Sequence, residues 1–397
     1  MGFSIRTLSE YDRFFVVDIG SSRVKVLLCE LENGELKIIG KASTRQSKKY
    51  TINGEIADLR GVSESVRKTV LKLSQSHEGV VEDVIFSIQS GSMITDTLSM
   101  NYVRENPNSP LNMEEIDRMI GKIESKSLDR AKPRILARVL ESEGQMKLVT
   151  TALTSIVIDG KKVSNPIGFS GTNVSLTVCN VFLPVSTFLL YSSIVRDLDK
   201  KLISFVPTAI ALPKAQEASL ELFDPNCFID IGASHTTVVL ENYSEILGSV
   251  VIPFGASMLE SIFARKHSTL SHLEVENRLV AEDPDDREVR AAQDEFLDIL
   301  VDGVTVALRD IAPDFLVRNI YFSGAMSTKY FIDLFVGAFK SKLPHMNVRG
   351  LPLIPEDEDL APEYAVAYAL TKTAEELVRQ KHDPIARILR YVIYRYE

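Results

Sequence analysis

Two stretches of this chain, 212 residues apart, carry the same pattern around an identical Asp-Ile-Gly. "FVVDIGSSRVKVLLCE" (residues 15–30) and "CFIDIGASHTTVVLEN" (227–242) align without a gap, pairing Val17 with Ile229, Asp18 with Asp230, Gly20 with Gly232 and Ser22 with Ser234. In each copy an apolar run ends in Asp-Ile-Gly, two small residues follow, and a β-branched or apolar run returns, which is the pattern of a β-hairpin. Glycine gives the turn its backbone freedom. A chain that opens both halves with the same hairpin is constrained to a duplicated architecture.

The rest of the sequence fits two α/β halves. After the first hairpin, "DLRGVSESVRKTVLKLSQSHEG" places Val62, Val66, Val70, Leu71 and Leu73 at helical spacing, and "VEDVIFSIQSG" reads as a buried strand. Residues from about 93 to 174 depart from this alternation, with a helix of their own around 113–127, and form an insertion. "VSLTVCNVFLP" is then a strand, "VSTFLLYSSIVRDLD" a helix and "KLISFVPTAIAL" a strand leading to a loop. The second half repeats the order: hairpin, helices over 274–310, the strand "NIYFSGAM" and helices to the end. Strands alternating with helices indicate sheets with parallel pairs.

Composition narrows the function. At 397 residues the chain holds two or three domains on a prior of roughly 150 residues each. It is 45% hydrophobic and 25% charged, an ordinary globular profile. Its 45 Lys and Arg against 54 Asp and Glu leave a net charge of −9, which argues against a nucleic-acid partner. The three cysteines (Cys29, Cys179, Cys227) lie in or beside apolar runs without C-x-x-C spacing and read as buried thiols. No uncharged apolar run of about 18 residues exists, and the first residues lack a signal peptide's apolar centre, so a cytoplasmic protein that meets a membrane only from the side is expected.

A glycine turn between two strands presents backbone N–H groups, and two such turns facing across a cleft suit phosphates. Asp18 and Asp230, each ending a strand, are candidates for holding Mg²⁺ through water. Lys25 on the first returning strand is a compact cation for a phosphate oxygen, while Thr237 takes its place in the second copy.

These features resemble the actin-like ATPase superfamily over nearly the whole chain. Within it, "VIDGKKVSNPIGFSGTNVSLTV" (157–178) is similar to the FtsA bacterial cell-division proteins, which share a D-G-x-x-x-x-N-P-x-G-x-x-G pattern; Asp159, Gly160, Asn165, Pro166, Gly168 and Gly171 match it. The resemblance implies an α/β, actin-like (ribonuclease H-like) duplicated fold, two halves around a nucleotide cleft, with an extra subdomain in the first half. It implies core subdomains at 1–85 with 177–205 and at 206–242 with 318–382, an inserted FtsA-type subdomain at 86–176 and an outer helical subdomain at 243–317. ATP and Mg are the implied cofactors, with nucleotide contacts at Asp18, Gly20, Ser21, Ser22, Lys25, Asp230, Gly232, Ala233, Ser234, Gly324, Ala325 and Met326. The late turn "FSGAMS" keeps Gly324 but carries Ala325 and Met326 where the family is richer in glycine, and Asn277 and Val280 fall where the family directs an acidic and a basic residue toward adenosine. Activity is expected to be at most a weak ATPase.

The last segment, "DPIARILRYVIYRYE" (383–397), has Asp at an N-cap position and Pro384 at the first helical position. At 100° per residue Ile385, Ile388, Leu389, Val392, Ile393 and Tyr396 share an arc of roughly 140°, with Arg387, Arg390 and Arg395 outside it. Residues 379–397 hold five Lys and Arg against two Asp and Glu, a basic tail on an acidic chain that suits an anionic membrane surface. FtsA likeness therefore implies a cell-division protein on the cytoplasmic face of the membrane. It would self-associate into a filament or dimer and tether FtsZ by that protein's C-terminal peptide. The alternative is a PilM-like scaffold of pilus or secretion machinery that binds a partner's cytoplasmic peptide. A small-molecule kinase on the same fold ranks last, because no catalytic Asp beside a substrate pocket stands out.

Overall fold

The apolar runs become the centres of two five-stranded sheets. A computed structural model describes residues 13–32, 35–52, 54–77, 79–138, 145–163, 165–215, 225–242, 245–314, 316–324, 326, 328–351 and 360–379. In the first half β1 (Arg13–Ile19), β2 (Arg23–Glu32) and β3 (Glu35–Arg45) form an antiparallel meander. A small hairpin of β4 (Thr51–Ile52) and β5 (Glu55–Ile56) follows, and α1 (Leu59–Ser76) leads to β6 (Asp83–Ile88), parallel to β1. The insertion comprises β7 (Ile94–Val103), α2 (Met113–Arg138), β8 (Met146–Ile158), β9 (Lys161–Lys162) and β10 (Asn173–Pro184), a sheet of order β7-β10-β8-β9. Then α3 (Val185–Asp197) returns the chain to β11 (Lys201–Pro207), and the first sheet reads β3-β2-β1-β6-β11.

A short helix α4 (Thr208–Ala211) and a 3-10 turn occupy the place of the expected loop. The second half runs β12 (Asn226–Ile231), β13 (Thr236–Asn242), β14 (Glu245–Ile252), α5 (Ala256–Lys266), α6 (His272–Val280), α7 (Arg287–Ile311), β15 (Asn319–Gly324), α8 (Lys329–Lys342), β16 (Asn347–Gly350) and α9 (Ala365–Arg379). Its sheet reads β14-β13-β12-β15-β16, the same order as the first, with the same antiparallel and parallel neighbours. The repeat holds to the residue: Asp18 lies opposite Lys25 and Asp230 opposite Thr237.

Burial follows the sequence periods. Asp58 caps α1 by accepting from the Gly61 N–H, and Val62, Val66, Val70 and Leu73 bury one face on the first sheet, each worth roughly 1.5–3 kcal/mol of transfer free energy. The second core joins β12, β13 and β15 to α5, α7 and α8, with Phe322 packed on Phe335 and Phe339. All three cysteines are buried, and burial pushes the Cys179 thiol up to about 12.

Two expected boundaries shift. The limit at residue 176 falls inside β10, whose first half gives Val174, Leu176 and Val178 to the insertion's core while Cys179, Val181 and Leu183 join the first core. One continuous strand serves both layers, so the chain has no break there. Likewise α9, expected with the second half, buries Ala367, Tyr368, Leu370 and Ala374 in the first core. The insertion's helix runs to Arg138, well past residue 127, and carries Pro133 inside it. Ala325 and the terminal segment 383–397, with Ile385, Arg387, Ile388, Leu389, Arg390, Val392, Ile393 and Tyr396, lie outside the described residues.

Candidate functional site: a cleft between duplicated turns

The two hairpin turns meet face to face. In each, the glycine N–H donates across the turn, Gly20 to the Arg23 carbonyl at 3.1 Å and Gly232 to the His235 carbonyl at 3.0 Å. Each turn is then braced differently. Gln46, just beyond β3, donates its side-chain amide to the Gly20 carbonyl at 2.5 Å and its backbone N–H to the Ser22 carbonyl at 2.9 Å. In the second half the carbonyls of Gly232 and Ala233 accept from the Ala256 and Ser257 N–H groups of α5, both at 2.9 Å. That approach needs glycine at 255, where a Cβ would stand 2.2 Å from the Gly232 oxygen.

Asp18 and Asp230 sit in matching settings. Ser87 on β6 donates to Asp18 Oδ1 and Ser323 on β15 donates to Asp230 Oδ1, both at 2.9 Å. Lys25 Nζ donates to Asp18 Oδ2 at 3.2 Å, and both side chains are largely buried. Burial alone would lower the Lys25 ammonium, but the carboxylates of Asp18 and Asp230 outweigh it and hold the group above the ordinary lysine value. Burial raises the Asp230 carboxyl, against the opposing effects of Lys25 and Ser323. His235, buried beside the second turn, is pushed down to about 4 and is neutral at pH 7.

Side chains of the two halves join across the cleft. Ser21 Oγ and Ser234 Oγ are 2.5 Å apart, and Ser234 Oγ is 3.1 Å from His235 Nδ1. Gln89 reaches Thr237, the repeat partner of Lys25. At the rim Arg45 pairs with both oxygens of Glu276 on α6, at 2.6 and 2.7 Å, and Lys48 pairs with Glu260 on α5. The inserted sheet also docks on the second half, through Thr95 to Ser249 and Thr97 to the Ile246 carbonyl.

What remains between the turns is a cavity of about 80 Å³ whose lining includes Asp18, Gly20, Ser21, Ser22, Lys25, Asp230, Gly232, Ala233 and Gly324. Ser234 joins them through its bond to Ser21, and Met326 packs against the second core beyond Gly324. The donor types fit a phosphate: no described residue accepts from the N–H groups of Ser21, Ser22, Ala233 or Ser234. The space does not, because ligand pockets typically enclose about 300–1,000 Å³. A nucleotide would have to separate Ser21 from Ser234. The described residues hold no cluster of three metal-ligating side chains, and with Lys25 and two serines on the carboxylates, Asp230 Oδ2 is the one oxygen of the pair without a described donor. A cation reached through water fits that oxygen; direct ligation does not.

On the side expected for adenosine, the charged residues of α6 are engaged within the protein. Glu274 closes a capping box with Ser271, Glu276 holds Arg45, and Arg278 pairs with Asp286 and Glu288 while lying over the Phe263 ring. Gly324 has φ +100°, and a Cβ there would stand 2.3 Å from the Ile231 oxygen, so this late turn requires glycine for the approach of two strands.

The Asp159–Gly160 pair folds as the expected hairpin turn, with φ of 45° and 81°. The Asp159 carboxylate also accepts from the Thr172 and Asn173 N–H groups, which hold it below the usual carboxylate range and clamp the Pro/Gly loop. Ser87 and Ser323 were not among the site residues expected from sequence. Their signal is the Phe-Ser pair at 86–87 and 322–323, a second register of the repeat that the gapless alignment of hairpins cannot reach.

No family profile and no characterised protein sequence matches the chain. Solved structures do. The PilM–PilN type IV pilus biogenesis complex is 14% identical with a TM-score of 0.62, covering 91% of this chain and 98% of that one. The ethanolamine utilization protein EutJ from Carboxydothermus hydrogenoformans is 11% identical with a TM-score of 0.52, covering 92% and 93%. Diol dehydratase-reactivating factor in its nucleotide-free form is 11% identical with a TM-score of 0.51, covering 92% and 100%. Likeness at this level is one of architecture, and together with the repeated sheet order it establishes that the chain has the duplicated actin-like α/β fold.

Proposed function

We propose that this chain is an actin-fold scaffold that binds a partner's peptide, self-associates, and couples those contacts to nucleotide in its cleft, as a PilM-like component of pilus or secretion machinery. The observation that carries this reading is the cleft itself. Side chains of both halves meet across it around about 80 Å³, and the inserted sheet makes a second contact between the halves, so whatever enters the cleft acts on how the halves are joined. The similarity to PilM in its complex with PilN supports the choice of role. With the cleft parted, Ser21, Ser22, Ala233 and Ser234 would offer N–H groups to the phosphates of ATP, Lys25 would exchange Asp18 for a phosphate oxygen, and Asp230, with Asp18 once Lys25 has left it, would hold Mg through water. The late turn at Gly324 would take the adenosine side. Bound Mg-ATP supplies charge that both turns can grip. Any ATPase activity is weak.

We divide the chain for this role into two core subdomains, the inserted subdomain and the outer helical subdomain, with the insertion's sheet running to Pro184 and α9 counted with the first core. A second reading is an FtsA-like tether that holds FtsZ to the cytoplasmic membrane through residues 383–397. It is favoured by the clamp of Asp159 on the N-P-x-G-x-x-G loop. No described helix is long and apolar enough to cross a membrane.

Fluorescence anisotropy with a PilN-type cytoplasmic peptide and with the FtsZ C-terminal peptide separates the readings. Saturable binding of the first supports the scaffold. Binding of the second alone, with flotation on anionic vesicles that is lost when the chain ends at His382, contradicts it and establishes the tether.

A further inference from the structure

β7 is an edge strand without the usual protections of an edge. It pairs with β10 alone, over all ten residues and without a bulge, and no described backbone group bonds its other side. From Thr97 to Val103 it carries no charge and no proline. Most other sheet edges are blunted by charge, proline or shortness: β3 carries Lys37 and Lys41, β11 begins with Lys201 and ends in Pro207, β16 has four residues with Arg349, and β9 is two lysines; β14, uncharged after Glu245, lies instead against α7 and the start of β7. The opposite flank of the inserted sheet, β8, lies against α3 and β11. The start of β7 is covered by β14 at the Thr95 and Thr97 side chains, but from Leu98 onward it leaves an uncharged, regular edge that is a template for another strand.

The side chains of β7 say which strand. Leu98, Met100 and Tyr102 are half-buried on the α2 face, and Ser99, Asn101 and Val103 are exposed on the other, Val103 at 76%. We propose that β7 pairs antiparallel with β7 of a second copy of this chain, about a two-fold axis perpendicular to the sheet. That symmetry keeps each face on its own side, so opposed residues must have the same parity. Centring on Met100 sets Met100 against its image, Leu98 against the partner's Tyr102 and Ser99 against the partner's Asn101, which continues both the apolar and the polar layer across the axis. Within the paired stretch, Thr97 to Val103, no charged residue is brought against another; Asp96, just before it, is turned to Ser127 and Arg130 of α2. The contact names a surface for the self-association proposed above and rests on that reading. Seven residues of strand pairing, Thr97 to Val103, fall short of the roughly 1,200–2,000 Å² of a stable interface, so the dimer forms in proportion to concentration.

Sedimentation of the full chain over a concentration series tests it, together with Asn101→Lys and Met100→Cys. Wild type is expected to dimerise as concentration rises, Asn101→Lys to remain monomeric with unchanged thermal unfolding, and Met100→Cys to form an intermolecular disulfide under mild oxidation, since the three native thiols are buried. Two results would overturn the proposal. If wild type stays monomeric throughout, self-association itself fails. If wild type and Asn101→Lys associate alike and Met100→Cys does not cross-link, self-association stands and this surface is wrong.

Discussion

Gly324 shows how narrowly single residues are fixed around the cleft. Its positive φ and the Ile231 oxygen beneath it leave no room for a Cβ, so Gly324→Ala combines backbone strain with overpacking and is expected to lose about 2–5 kcal/mol in urea unfolding. Ser87→Ala and Ser323→Ala each strip a donor from a buried carboxylate and should cost about 1–3 kcal/mol, by similar amounts because their settings match. Glu241 lies at the far end of its strand, where burial raises it to about 7 against the pull of Lys214 and Asn226. Its folded value exceeds the unfolded 4.5, so its contribution is fully present below pH 4.5 and is lost as pH rises through 7. Glu241→Gln should flatten that loss and gain up to about 2 kcal/mol over wild type at pH 8, measured as denaturant midpoints across pH. Asp18, Asp230 and Lys25 were legible because the repeat aligns them. The serines that hold the carboxylates were not, because loops of different length shift β6 and β15 out of the hairpins' common offset.

Among the elements, those with a period of their own were readable: the hairpins, α1 with its valines at helical spacing, and the turn at Asp159–Gly160. The misread ones are those that tertiary contact reassigns. β10 looks like a core strand because its second half is fully buried, yet its pairing with β7 and β8 makes it the centre of the insertion. Nothing within α9 marks that its apolar face crosses to the first core, since burial is the same whichever half supplies it. The rim pairs bridge elements distant in sequence, and no local pattern announces them. Arg45 and Glu276 are both partly exposed, so Arg45→Ala should change stability by less than about 1 kcal/mol. Hydrogen exchange in β3 and α6 should nevertheless rise, as the rim opens more often.

At the scale of the whole molecule, duplication is the organising fact. Two sheets of identical order bring two copies of one turn into opposition, and the residues that would hold phosphates instead hold each other. The sequence carries the duplication plainly but not the closure, which depends on how the halves dock through β7, β14 and the rim. The closed contact exists without nucleotide and must part to admit one. A Ser21→Cys, Ser234→Cys double variant tests it directly, because hydroxyls 2.5 Å apart place their residues within disulfide reach. Rapid intramolecular disulfide formation is expected under mild oxidation in nucleotide-free protein, followed by loss of any ATP binding. Slow or absent cross-linking in folded, nucleotide-free protein, or ATP binding undiminished after cross-linking, would contradict it.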